Sequence, residues 1–159
     1  MIPKLSAAVV GLAAVTLAGF SMGLAMRVAQ NPPVIAGRPI EAHLVVPSDV
    51  EKILTRSCKD CHSYETRWPW YSRLPVVSGV LADDVKHARS YMNLSDWSAI
   101  IARGKGEEGA ALNGICEELR SDAMPLTRYR NIHRHTHLTG AEVETVCRWT
   151  QKTAAASVH

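Results

Sequence analysis

Cys58-Lys59-Asp60-Cys61-His62 is the stretch on which the reading of this chain turns. Two thiols three residues apart, with a histidine directly after the second, match the attachment signature of a c-type haem. The spacing has a chemical reason. If the stretch is helical, Cys58, Cys61 and His62 stand at i, i+3 and i+4 and share one face. Two sulfurs on that face can form thioethers along one porphyrin edge while the imidazole turns under the iron. The motif therefore predicts a helix at its own position and a domain built around it.

Other uses of a cysteine pair have to be weighed. A zinc site would need two more ligands, and Cys116, Cys147 or the later histidines are candidates. Those cysteines stand singly, not in a second Cys-x-x-Cys. A thioredoxin-like pair would need a strand before it in a βαβ setting, which the sequence does not offer.

Haem attachment takes place outside the bacterial cytoplasm, so an export signal should precede the motif. From Leu5 to Met26 the chain is apolar or small and uncharged, bracketed by Lys4 and Arg27. About 22 such residues suffice to span a bilayer core of roughly 30 Å as a helix. A cleaved signal peptide is the alternative, but Ala25-Met26-Arg27 and Arg27-Val28-Ala29 place Met or Arg where a cleavage site wants small residues. The expectation is a signal anchor or transmembrane helix over 1–27, in the bacterial inner membrane. Its N-terminus would be cytoplasmic and the haem domain periplasmic. Residues 28–47 carry Pro32, Pro33, Pro39 and Pro47 and no hydrophobic periodicity, and read as a Pro-rich tether reaching roughly 60 Å. Residues 48–152 then form one haem-binding domain, near the usual single-core size. Residues 153–159 read as a flexible tail.

The formal charge of this 159-residue chain is +3 with seven histidines uncounted, and aromatic content is 6% with a single Phe. Such a small core suits packing around a cofactor. The basic residues, among them Arg67, Arg73, Arg89, Arg103, Arg128, Arg130 and Arg134, are spread along the chain and read as solvated faces, or more sharply as a docking surface for an acidic redox partner of unknown identity. No basic helix with interleaved aromatics and no zinc-finger spacing occurs, so a nucleic-acid partner is not expected.

The fold class reads as all-α, a small cytochrome c-like helical domain. Ser48-Asp49-Val50-Glu51 is a predicted capping box. Val50, Ile53, Leu54, Cys58 and Cys61 follow at helical spacing, so the first helix delivers the cysteines. Arg67-Trp68-Pro69-Trp70-Tyr71 is an aromatic loop whose proline cannot sit inside a helix. Trp68 and Trp70 are candidates to pack on a porphyrin edge or the core, and a Trp N–H or Arg guanidinium could meet a propionate. A second helix is predicted from near Ser78 to Met92, with Val80, Leu81, Val85, Ala88 and Met92 on one stripe. Ser95 is the predicted cap of a third beginning at Asp96-Trp97. Gly104, Gly106 and Gly109 mark 103–110 as a surface loop, followed by a helix from Leu112 to Arg120. Thr139-Gly140-Ala141-Glu142 is a second capping box, with Leu138 and Val143 as a hydrophobic staple. Val143, Val146, Cys147 and Thr150 mark the inner face of the last helix.

Iron held by His62 has a second axial position. Met124 is the candidate, in an irregular segment where Pro125 removes a donor and biases it toward extended backbone. Its thioether would favour Fe(II). Met92 reads as core, and His87, His133, His135 and His137 are the alternatives for bis-histidine ligation. Cys116 and Cys147, in an oxidising compartment, are most simply a disulfide, with two buried free thiols as the alternative.

These residues together resemble the small bacterial haem-binding-domain proteins, which look like single-haem c-type cytochromes. The resemblance is carried by the haem motif, then Thr66-Arg67-Trp68-Pro69-Trp70-Tyr71-Ser72, Asp84-Val85, Asn93-Leu94-Ser95-Asp96-Trp97, Ile115-Cys116-Glu117-Glu118-Leu119-Arg120, Met124-Pro125 and Val146-Cys147-Arg148-Trp149-Thr150. It implies one covalently attached haem c held by Cys58, Cys61 and His62, makes Met124 the natural distal ligand, and places both spare cysteines in matching positions. The glycine-rich insertion at 104–109 and the basic, histidine-rich Arg130 to His137 depart from it. The expected function is a membrane-tethered one-electron carrier rather than an enzyme. A sensor or peroxidase-like protein with a labile distal ligand is the alternative.

Overall fold

The computed structural model describes residues 31–104 and 106–157. The anchor predicted over 1–27 lies outside them, and among the described residues no helix is long and apolar enough to cross a membrane. Those residues form seven α-helices with four short 3-10 turns and no strand, in keeping with the all-α expectation.

Residues 31–67 and 85–157 make one compact unit, and residues 68–84 belong to another. In the first, α1 (Ser48–Ser57) buries Val50, Ile53, Leu54 and Ser57. After a break at Cys58 the single turn α2 (Lys59–His62) follows. α3 (Val77–Tyr91) contributes its second half, from Val85 onward, to this unit. Then come a 3-10 turn at Leu94–Asp96 and the helices α4 (Ser98–Ile101), α5 (Glu107–Arg120), α6 (Thr127–Ile132) and α7 (Gly140–Ala156). The packing of α5 against α7 is the most extensive, and the disulfide Cys116–Cys147 joins them.

Several sequence expectations need correction. Residues 31–47 are not a swinging tether. Ile40, in a 3-10 turn, is completely buried in the core, and Leu44 and Val46 pack on its edge. Burying one such side chain is worth about 2 kcal/mol, more than proline content can offset. Arg38 pairs with Asp96 at 2.7 Å, and Trp149 Nε1 donates to the Val45 carbonyl at 3.1 Å. At the other end α7 runs to Ala156 with Ala154 buried, so the boundary read at 152 falls inside a helix.

The first capping box does not form. α1 starts at Ser48 with Pro47 as a cap that offers no side chain. Glu51 is instead drawn to Lys59 Nζ, 2.7 Å away, and accepts from Thr55. A carboxylate gains more from a charged donor than from a backbone N–H. The second box does form: Thr139 Oγ1 accepts from the Glu142 N–H, and Glu142 accepts from the Thr139 N–H. Leu138 and Val143 both pack against the core, as the staple requires. Ser95 is not a helix cap. Asn93 Oδ1 accepts the Ser95 N–H, while Ser95 Oγ accepts from the Tyr64 N–H. The glycine loop is shorter than read: α5 begins at Glu107, after Gly106 at φ 89°, and includes Gly109. Glu107 and Glu108 in the first turn favour that earlier start through the helix dipole. On α3 the predicted stripe holds at Val85, whereas Val80 is exposed.

In the smaller unit Pro69 leads into a 3-10 turn at Trp70–Arg73, where Ser72 Oγ donates to the Pro69 carbonyl. Trp70 and Tyr71 meet edge to face at 5.8 Å. Val76 lies at φ 70°, a left-handed conformation rarely tolerated by a β-branched residue.

Candidate functional site

The motif folds as one hydrogen-bonded turn. The Cys58 carbonyl accepts from the Cys61 N–H at 3.1 Å and from the His62 N–H at 2.9 Å. Cys58, Cys61 and His62 therefore do stand at i, i+3 and i+4 on one turn, as the spacing requires. It is not a continuation of α1, because Cys58 at φ −122° interrupts the helix. Both thiols are half-buried and outside any disulfide, and Cys58 touches the core.

His62 is held by α3. Its Nδ1 lies 3.1 Å from the Ala88 carbonyl and 3.1 Å from the Met92 carbonyl. Carbonyls only accept, so Nδ1 carries the proton and Nε2 keeps its lone pair, the form of imidazole that ligates a metal. Burial holds the imidazole below its ordinary range, against the Met92 and Ala88 carbonyls and the Glu118 carboxylate. Burial, with Cys61 alongside, pushes the Cys58 thiol up to about 12. That is the reverse of the lowered value a redox-active dithiol needs, which argues against the thioredoxin-like alternative. The zinc alternative loses Cys116 and Cys147 to their disulfide. Among the described residues no three His, Cys, Asp or Glu side chains gather as a metal site.

The corner that carries Met124 is built by the end of α5. Asp122 takes a left-handed conformation at φ 58°, which Asp tolerates better than most residues. This ends the helix and sends the Ala123 and Met124 N–H groups back to the Glu118 carbonyl, at 3.1 and 3.2 Å. Arg130 of α6 clasps Asp122 with both guanidinium branches. Met124 is half-buried there. Glu118 is also the acidic residue that acts on His62, so the Met124 turn and the imidazole share a neighbour.

Trp68 and Trp70 belong to the unit of residues 68–84. Trp68 is half-buried, and Trp70 is 76% exposed. Met92 is half-buried on the core edge and contributes its carbonyl to His62, while His87 is exposed. His133 stacks on Tyr129 at 4.5 Å and meets His135 edge-on at 5.9 Å, and His137 is exposed.

Sequence reasoning missed the supports of the turn. Asp60, between the two cysteines, accepts from Arg67 Nε and Nη2 at 3.0 Å each and from the Tyr129 hydroxyl at 2.8 Å. Burial pushes the Asp60 carboxyl up, but these donors outweigh it and hold it below the usual range. Arg89 donates to the Ser63 carbonyl, Asn31 Oδ1 and Thr66 Oγ1 at 2.8 to 2.9 Å, with the Tyr64 ring 5.3 Å away. Arg67, Arg89 and Arg130 are thus structural cations, not free members of a solvated face. Only the odd placement of an Asp inside the motif hinted at this.

The donor set fits a haem. Two thiols outside any disulfide and an imidazole lie on one turn, and two backbone carbonyls fix the imidazole so that its lone pair is on Nε2. No curated protein and no solved structure matches the chain. A family model described as a haem-binding domain matches residues 19–152, well over half its length. The chain belongs to the haem-binding domain family and is a haem-binding protein.

Proposed function

We propose that this protein is a membrane-anchored c-type cytochrome that carries single electrons on the periplasmic face of a bacterial inner membrane. The observation that carries the reading is the turn Cys58–His62, with both thiols and a pinned imidazole presented together. Haem, when bound, supplies the one-electron iron couple. Cys58 and Cys61 would hold it covalently, and His62 Nε2 and Met124 Sδ would ligate its iron. The Ala88 and Met92 carbonyls keep the imidazole in one tautomer and one orientation, so the ligand does not have to reorient when charge changes. Asp122 and the Glu118 carbonyl fix the backbone of Met124 in the same way.

The reading is tested on protein made with haem-maturation machinery. Colour should survive acid-acetone extraction, and the pyridine haemochrome should correspond to one thioether-linked haem per chain. Met124→Ala should abolish the long-wavelength sulfur-to-iron absorption band of the oxidised protein and open the reduced protein to carbon monoxide. Rapid carbon monoxide binding by the unaltered protein would favour the sensor or peroxidase-like alternative.

A further inference from the structure

The Cys58–His62 turn and the Met124 corner are gripped by neighbouring residues of one short helix. Tyr129 of α6 donates its hydroxyl to Asp60, inside the turn, at 2.8 Å. Arg130, the next residue, gives Nη1 and Nη2 to the carboxylate of Asp122, two residues before Met124, with the Nη2 contact at 2.9 Å. Successive residues of a helix project about 100° apart, so one helix can hold two neighbours at once. The backbone completes the bracket. The carbonyl of Leu126, two residues after Met124, accepts the Tyr129 and Arg130 N–H groups at 2.9 and 3.0 Å. Met124 therefore stands between two residues that α6 holds, and the same helix reaches the turn that presents His62.

Stability does not account for the Arg130 end of this arrangement. Arg130 is 7% exposed, and its Nε has no hydrogen-bond partner among the described residues. The Asp122 side chain is 75% exposed. A buried guanidinium with one unpaired N–H costs free energy, and a carboxylate already solvated by water returns little of it. What the pair supplies is geometry, since two guanidinium branches on one carboxylate fix direction as well as distance. At the other end Arg67 already holds Asp60 with Nε and Nη2 at 3.0 Å each. The Tyr129 hydroxyl adds a link to α6 where the charge is already met.

We propose that Tyr129 and Arg130 are positioning residues that make α6 a strut between the Cys58–His62 turn and the Met124 corner, setting the span across which His62 and Met124 meet one iron. This rests on the ligation proposed above. A strut acts in series. Released at either end, it no longer holds Met124 to the distance that His62 sets, and release of the second end adds nothing.

The probe is imidazole, added to the oxidised holoprotein. It binds only when Met124 leaves the iron, so its half-saturating concentration varies inversely with the open fraction. Loss of one hydrogen bond to a charged group is enough to raise that fraction about tenfold. Tyr129→Phe and Arg130→Leu should therefore each need about one-tenth of the imidazole that the unaltered protein needs, read as loss of the long-wavelength sulfur-to-iron band. The double variant should match the single ones. Glu142→Gln weakens a carboxylate bonded to Arg56 and Thr139, and should stay within about twofold of the unaltered protein. Tyr129→Phe removes one oxygen and carries the test alone if Arg130→Leu takes up no haem. Unchanged imidazole binding by Tyr129→Phe overturns the strut and leaves the ligation intact. A double variant about tenfold beyond the single ones shows two independent supports and also overturns it. A Glu142→Gln shift equal to theirs does the same, as the mark of general loosening. Absence of the sulfur-to-iron band from the unaltered protein overturns Met124 ligation and the inference with it.

Discussion

Replacing Cys116 and Cys147 together by alanine should lower the thermal midpoint of the protein by about 14 °C. The bond joins residues 31 apart in sequence. In the chain-entropy model a loop of that length removes about 12 cal/mol/K from the unfolded chain, or about 4 kcal/mol at 25 °C. The roughly 125 described residues at about 2.1 cal/mol/K each give an unfolding entropy near 0.26 kcal/mol/K, and the quotient is the predicted shift. Cys147 is fully buried and Cys116 is 2% exposed, so loss of the two sulfurs also leaves a small void that deepens the effect. Circular dichroism melts of the holoprotein, with and without a phosphine reductant, measure it. Reductant should move the unaltered protein toward the double variant and leave the variant where it is. If the unaltered and doubly substituted proteins melt within about 3 °C of one another, the cross-link contributes nothing and the packing of α5 on α7 must hold that end of the fold alone.

Glu142→Gln tests the formed capping box. The Arg56 guanidinium at 2.8 Å and the Thr139 N–H hold the Glu142 carboxyl at about 2. A lowered carboxylate stabilises the fold above its unfolded value, and the contribution is lost as pH falls through the folded one. The variant should therefore be about 1 kcal/mol less stable at pH 7, after allowance for solvent screening, and match the unaltered protein near pH 2. Urea midpoints across that range measure it, and a difference that persists undiminished to pH 2 would refute the charge argument. Val76→Gly should stabilise the protein by about 1 kcal/mol, since it relieves a left-handed β-branched residue that buries almost nothing. A loss of stability in the same urea titration would show that Val76 is not strained.

What the sequence made legible was local. Val50, Ile53 and Leu54 repeat at helical spacing and are buried, and Thr139 with Glu142 forms the box its spacing requires. Arg56 pairs with Glu142 Oε1 but leaves Oε2 to the Thr139 N–H, so the box still closes. The failures share one cause, a distant partner. Glu51 has the right offset from Ser48 but turns to Lys59, eight residues on. Ser95 has the right hydroxyl, yet it meets the Tyr64 N–H, 31 residues back. The proline count of 28–47 suggested a free tether, and Ile40 overrode it by filling a core site that its own neighbours do not reveal.

The site divides along the same line. The Cys58–His62 turn was legible because its three groups lie within five residues, and covalent spacing alone puts them on one face. Most of its supports were not, because they come from 26 to 69 residues away: Ala88 and Met92 on His62, Arg89 on Ser63, and Tyr129 on Asp60. These groups decide how the motif can act. An imidazole with a free Nδ1 could rotate or bind iron through either nitrogen, whereas one clamped by two carbonyls offers a single lone pair in a single direction. Arg89 belongs to the same logic, since the guanidinium that fixes the residues after His62 also fixes Asn31. Asn31, where the described residues begin, and Ser63, directly after His62, therefore share one hydrogen-bonded cation, so substituting Arg89 should loosen both at once.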